Sequence, residues 1–155
     1  KLNKMVDDNV FWKTFRYALV IANQDVYTHT QIAKASDRLV KYTCEAAFVF
    51  GKTADGSYHG CARTRLANVN IGHVMKQLFN GGGGNKLSAA CEPFFVDADS
   101  PEREVEIIKE KLYEILYHQK VFNSQPRKRY YIKSRRLGKE KTEDLTYYEI
   151  HQGFT

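Results

Sequence analysis

The sequence predicts an α/β fold, a single domain in which one mixed β-sheet is covered by helices. Three observations carry that expectation. Strand-like apolar runs alternate with segments of helical periodicity along the chain, which implies layers of helix on sheet. Two of those runs flank Asp55-Gly56, a tight-turn signal that joins them as a hairpin. Hydrophobic residues make up 43% of the 155 residues and aromatic residues 13%, enough for a sizeable core.

After a short aromatic-containing segment around Phe11 and Trp12, residues 15 to 22 read as the opening strand, with the apolar run Tyr17 to Ala22 at its heart. A helix follows. Thr28 and Gln31 have the spacing of a capping box, and Ile32, Ala35 and Leu39 recur at helical spacing through about Lys41. Cys44 to Gly51 is a second apolar strand, and Ser57 to Arg65 returns as the other arm of the hairpin. Ile71, Val74, Met75, Leu78 and Phe79 define one face of a short helix. Gly81 to Gly84 then form a loop, and Leu87 to Val96 reads as a strand with small residues at Ser88, Ala89 and Ala90. Ser100 and Pro101 supply an N-cap and a first-turn proline. Glu102 and Glu104 suit the positive end of the dipole, and Val105, Ile108, Leu112 and Ile115 make the buried seam of a helix over residues 101 to 119.

Composition excludes several classes. No run is long and apolar enough to be a transmembrane span or a signal peptide. Cys44, Cys61 and Cys91 are odd in number, widely spaced and without histidines at zinc-ligand spacing, so they read as free buried thiols of a cytoplasmic protein. The five histidines are scattered, and neither an H-E-x-x-H motif nor a carboxylate cluster emerges. The expectation is therefore no catalytic residue and no metal ligand on this chain. Its first residue is Lys1 and no start-like signal follows, which points to a fragment of a longer protein.

The glycine run is the most distinctive feature. Glycine reaches left-handed backbone conformations without steric cost and lets another molecule approach the main chain closely, so the run suits a loop whose amides face a ligand. A helix cap with a slack linker is the other reading. The run follows a helix instead of preceding one, and the G-x-x-x-x-G-K-[ST] pattern is absent, so an ordinary phosphate loop is excluded. An anion held here needs loop amides and nearby cations, of which Lys86, Arg63 and Arg65 are the candidates.

Several stretches in order then carry a resemblance: Gln31 to Val40, Ala46 to Phe50, Cys61-Ala-Arg-Thr64, Val69-Asn-Ile71, and Gly81 to Asn85 with Ala89-Ala90. Over about residues 15 to 119 the chain resembles the DHHA1 domain, the C-terminal substrate-binding domain of DHH-family phosphoesterases. It is most similar to the bacterial cyclic-di-AMP phosphodiesterase branch, with its AxxADxLL helix, SFV strand, SARS strand end, INV helix start and GGGGH run. The resemblance implies that Arg63 reaches a substrate phosphate and that Gly81, Gly82, Gly83 and Gly84 approach a nucleotide. Asn85 stands where the family has histidine, and it keeps a hydrogen-bonding side chain but no transferable proton. Asn70 matches the INV asparagine, first as a helix cap and second as a ligand contact. Arg65 has no counterpart and reads equally as a solvated charge. One residue is extra between Arg63 and Asn70, and Phe79-Asn80 is inserted before the glycines.

The family's catalytic DHH domain, which holds two manganese ions that activate water, is absent from this chain. The resemblance therefore implies a substrate-binding domain of a phosphodiesterase for cyclic dinucleotides or very short oligonucleotides. Its partners are the dinucleotide and the DHH domain of the same protein, which membrane spans upstream could anchor. Residues 1–14 read as a linker from that domain and 120–155 as a basic extension. Of the net charge of +6, eight Lys/Arg against four Asp/Glu lie between Gln125 and Thr155. Arg127 to Arg136 interleaves cations with tyrosines, which suits either an exposed extra strand or a surface for single-stranded nucleic acid. The alternative functions are thus a nucleic-acid-binding module and a degenerate regulatory domain.

Overall fold

The computed structural model describes residues 5–6, 10–13, 17–66 and 70–119. Their architecture is the expected mixed sheet with helices on both faces. Six strands lie in the order β1-β2-β3-β4-β6-β5, with β1 at Val10–Lys13, β2 at Tyr17–Ala22, β3 at Ala46–Lys52, β4 at Tyr58–Thr64, β5 at Gly82–Gly84 and β6 at Ser88–Phe94. Helix α1 spans His29–Tyr42, α2 Ile71–Lys76 and α3 Pro101–Gln119.

All six residues of β2 are buried, which is why that stretch reads as a continuous apolar run and not as an alternating one. β2 pairs in parallel with β3, Tyr17 opposite Ala46 and Ala22 opposite Gly51, and α1 makes the crossover between them. Every other neighbouring pair is antiparallel. α1 starts as its sequence requires: the Thr28 hydroxyl accepts from the Gln31 amide at 3.1 Å and the Gln31 side chain accepts from the Thr28 amide at 2.9 Å. A cap of this kind contributes about 1 kcal/mol.

Strand alternation divides the core between the two faces. Ala18, Val20, Ala47, Val49 and Cys61 pack with Ile32, Ala35 and Leu39 of α1. Leu19, Ile21, Phe48, Phe50, Tyr58 and Phe94 pack on the other side with Val74 and Met75 of α2 and Val105, Ile108 and Leu112 of α3. α3 has the expected bounds, and the Ser100 hydroxyl accepts from the Arg103 amide at 3.1 Å.

Three features differ from the sequence expectation. The segment around Phe11 and Trp12, read as preceding the first strand, is itself strand β1. α2 ends at Lys76, not Phe79, and Phe79 takes a positive φ of 22° while its ring stacks on Phe94 at 4.3 Å between centroids. The glycine run, expected as a loop, is mostly strand: Gly82, Gly83 and Gly84 pair with Cys91, Ala90 and Ala89. Glycine has low strand propensity, so tertiary neighbours fix this geometry. The basic tail and its Arg127–Arg136 motif lie outside the described residues.

Candidate functional site

The candidate residues converge where β4, β6 and β5 lie side by side. Arg63 on β4 is opposite Ser88 on β6, and the Ser88 carbonyl in turn accepts from the Asn85 amide at 2.9 Å. Pairing thus brings the arginine-bearing end of the hairpin alongside the glycine segment. Arg63 shares a face with Cys61 and with α1, because both are odd-numbered positions of β4 and Cys61 packs in the α1 cluster.

Three acceptors fix the Arg63 guanidinium. Nε donates to Asp37 Oδ1 of α1 at 2.8 Å, and Nη1 donates to the carbonyls of Ala62 at 2.9 Å and Ala89 at 3.3 Å. The Arg63 side chain also lies within hydrogen-bonding reach of the Cys61 thiol. The Asp37 side chain is 60% exposed and that of Arg63 21%, so the pair adds little stability. Its effect is to aim the guanidinium. Asp37 was not singled out from the sequence, although it sits inside the Gln31–Val40 stretch that carries the resemblance.

The four glycines have different reasons to be glycine. Gly81 has φ of +90° and Gly84 of +145°, a region other residues rarely enter. A Cβ on Gly82 would lie 2.5 Å from the Ala90 carbonyl oxygen, 2.6 Å from Cys91 Cα and 2.8 Å from the Met75 carbonyl oxygen, so β5 is wedged between β6 and α2. Gly72 of α2 closes the same wedge, since its Cβ would lie 2.9 Å from the Gly84 carbonyl oxygen. Gly83 is the exception: a Cβ there would meet nothing within 4 Å. Its partner Ala90 packs at the edge of the α1 cluster, and cross-strand partners point to the same face. Gly83, Ala90 and Ser88 therefore form a shelf of small residues on the α1 face, with Arg63 along one side.

The remaining candidates differ in their placement, and Asn70 caps the helix that packs on the face of the sheet away from α1. Asn85 is a turn residue, and its Oδ1 accepts from the Leu87 amide at 2.9 Å and the Ser88 amide at 2.8 Å. This asparagine shapes the β5–β6 connection itself. Lys86 is exposed, makes no hydrogen bond or ion pair through its side chain among the described residues, and gives its carbonyl to the Ile71 amide at 3.2 Å. Asn70 caps α2, accepting from the His73 amide at 3.1 Å, which is the first of its two readings. Arg65 donates to the Cys44 carbonyl at 3.3 Å and so stays tied to the start of β3.

Beside Asp37, α1 exposes Lys34, Arg38 and Lys41, and the ammonium of Lys41 lies 5.3 Å from the centroid of the exposed Tyr42 ring. With Asp37 these residues border an open depression of about 600 Å³. The spacing 34, 38, 41 was readable as one helical stripe. The Cys61 and Cys91 thiols are pushed up by burial, Cys91 to about 12, so neither is a nucleophile at neutral pH. Among the described residues no group of three or more His, Cys, Asp or Glu is placed to hold a metal ion. No helix among them is long and apolar enough to cross a membrane.

No family model and no curated protein matches the sequence. Among solved structures, an exopolyphosphatase-related protein from Bacteroides fragilis aligns with a TM-score of 0.51 at 11% identity, over 73% of this chain and 33% of that one. A pGpG-specific phosphodiesterase from Vibrio cholerae aligns with a TM-score of 0.47 at 15% identity, over 74% of this chain and 37% of that one. The chain spans about a third of the length of these proteins. At such identities the likeness is one of fold, and this chain shares the fold of a segment of the exopolyphosphatase-related protein.

Proposed function

We propose that this chain is the substrate-binding domain of a DHH-type phosphodiesterase and takes a cyclic dinucleotide or a very short linear oligonucleotide. The observation that carries the reading is the aimed guanidinium of Arg63 beside the uncovered backbone of Gly83. A phosphate set against the guanidinium gains a charge-assisted hydrogen bond, while the shelf of small residues admits a flat base or sugar close to the main chain. Lys86, Lys34, Arg38 and Lys41 add positive potential around it. The ordered motif matches from Gln31 to Ala90 support the family, and a phosphate-bearing ligand agrees with the name of the exopolyphosphatase-related protein that shares the fold.

On this reading the chain binds and does not hydrolyse. The catalytic DHH domain belongs to the same protein, whose compartment is cytoplasmic, and that domain supplies the manganese-activated water.

The test is calorimetric titration with a cyclic di-adenylate and a linear di-adenylate. Loss of a charge-assisted contact of about 1.5–3 kcal/mol in Arg63→Ala weakens affinity about ten- to hundredfold. Removal of residues 125–155 leaves it unchanged. If the truncation alone abolishes binding, and single strands bind with a steep salt dependence, the nucleic-acid module is the correct reading instead.

A further inference from the structure

The outer face of α1 carries three cations that no carboxylate of the described residues neutralises. Lys34, Arg38 and Lys41 are exposed, fall at i, i+4 and i+7 on one stripe, and form no ion pair there. The helix holds a single carboxylate, Asp37, and its Oδ1 is engaged by Arg63 at 2.8 Å. At the end of the stripe stands Tyr42, the last residue of α1, 67% exposed, with the Lys41 ammonium 5.3 Å from its ring centroid.

Exposed lysines on a helix are ordinarily a solvated face. Two properties set this stripe apart. The first is its charge pattern. On α3, Lys109 pairs with Glu106 at 3.3 Å, Lys111 with Glu114 at 3.5 Å and Arg103 with Glu110 at 3.7 Å. On α1, like charges stand at i, i+4 and i, i+3 instead, a spacing that destabilises a helix. A large ring left in water beside them adds nothing to the core. Cations beside an exposed aromatic ring suit a ligand with phosphates and flat bases.

The second property is placement. Asp37 and the stripe border one open depression of about 600 Å³, and Asp37 also holds Arg63. Arg65, just past the end of β4, donates to the carbonyl of Cys44, just past the end of α1, at 3.3 Å. The Arg63 end of β4 and the Tyr42 end of α1 are therefore joined side by side. From Lys34 to Tyr42 the helix rises about 12 Å at ~1.5 Å per residue, a cationic track beside the candidate nucleotide site.

We propose that this stripe is an extension subsite for a linear single strand. Lys34, Arg38 and Lys41 take phosphates beyond the dinucleotide held at Arg63 and Gly83, and a base stacks on Tyr42. The proposal rests on the nucleotide reading of Arg63. It makes linear oligonucleotides longer than a dinucleotide the best-held ligands of the domain, because a cyclic dinucleotide has no further phosphate to offer the stripe. Cations grip the backbone whatever its sequence and a ring stacks on any base, so length decides affinity and sequence does not.

The experiment is calorimetric titration of the 155-residue chain with cyclic di-adenylate, linear di-adenylate and linear penta-adenylate over a range of salt concentrations. The pentamer binds more than about tenfold tighter than the linear dimer. Its log–log salt slope is steeper by about 2, from three phosphate contacts at ~0.7 each. Tyr42→Ala lowers pentamer affinity about five- to hundredfold and keeps the slope, as loss of one stacked base requires. The combined Lys34→Gln, Arg38→Gln and Lys41→Gln variant loses the extra slope. All four side chains are exposed, and circular dichroism checks that each variant is folded. A parent chain that binds dimer and pentamer equally overturns this inference and leaves the Arg63 site standing, whereas one that binds neither overturns both. Survival of the gain in both variants places the extra contacts elsewhere and overturns it too. So does displacement of the pentamer by inorganic tripolyphosphate with Tyr42→Ala equal to the parent, since the stripe is then a general polyanion surface.

Discussion

Gly83 separates what the fold needs from what a ligand needs. Gly81, Gly82 and Gly84 are held as glycine by positive φ or by backbone atoms that a side chain would strike, whereas a methyl group on Gly83 enters open space. Its φ is also outside the left-handed region. Gly83→Ala therefore removes unfolded-state freedom without native strain and stabilises the domain by about 0.4–1 kcal/mol, a rise of about 1–4 °C in thermal midpoint for a chain of this size. The same methyl group stands on the shelf beside Arg63. If a dinucleotide packs against that backbone, the methyl costs about 1–3 kcal/mol of binding, roughly five- to hundredfold in affinity. Scanning calorimetry and dinucleotide titration on one preparation read both quantities. Gly82→Ala is the contrast: with backbone atoms at 2.5, 2.6 and 2.8 Å from its Cβ, it destabilises the domain by about 1–3 kcal/mol. A Gly83→Ala protein with parent-like affinity would refute the reasoning, since nothing then approaches the uncovered backbone.

Other expectations follow from the same geometry. Asp37→Ala frees the Arg63 guanidinium and lowers dinucleotide affinity by about 0.5–1.5 kcal/mol. Asp37→Asn keeps an acceptor for Nε and removes a negative charge, so titration shows affinity held or raised. Tyr58→Phe deletes a buried hydroxyl that donates to Glu104 at 2.7 Å and accepts from Asn23 at 2.8 Å, which costs about 1–3 kcal/mol in urea unfolding. The Asp55 carboxylate has a folded pKa of about 2 against an ordinary 3.8. Its contribution is thus present above the unfolded value and lost as pH falls towards the folded one. An acid titration of stability should accordingly lose part of its slope between those values in Asp55→Asn.

Local chemistry was legible where side chains announce it. The Thr28–Gln31 capping box, the Asp55-Gly56 turn and the Ser100-Pro101 start of α3 each satisfy their own backbone, and each stands where the sequence places it. β5 was hidden because three glycines carry neither alternation nor β-propensity; Gly72, Ala89 and Cys91 create its geometry from other parts of the chain. β1 was hidden because strand pairing is decided by an edge, and four residues are too few to show a period. Of the candidate site, Arg63 and the glycines were readable from motif order. The ion pair that aims Arg63 was not, because Asp37 lies twenty-six residues away and only packing of α1 over β4 joins them.

The most direct measurement is an amide proton–nitrogen correlation spectrum of the labelled 155-residue chain as a dinucleotide is added. Shifts should concentrate at Gly82 to Asn85, Ser88, Ala90 and the Arg63 side chain, and the backbone shifts should need about ten- to hundredfold more ligand in Arg63→Ala. Shifts confined to residues 125–155, or none at all at saturating ligand, would contradict a nucleotide site on the glycine strand.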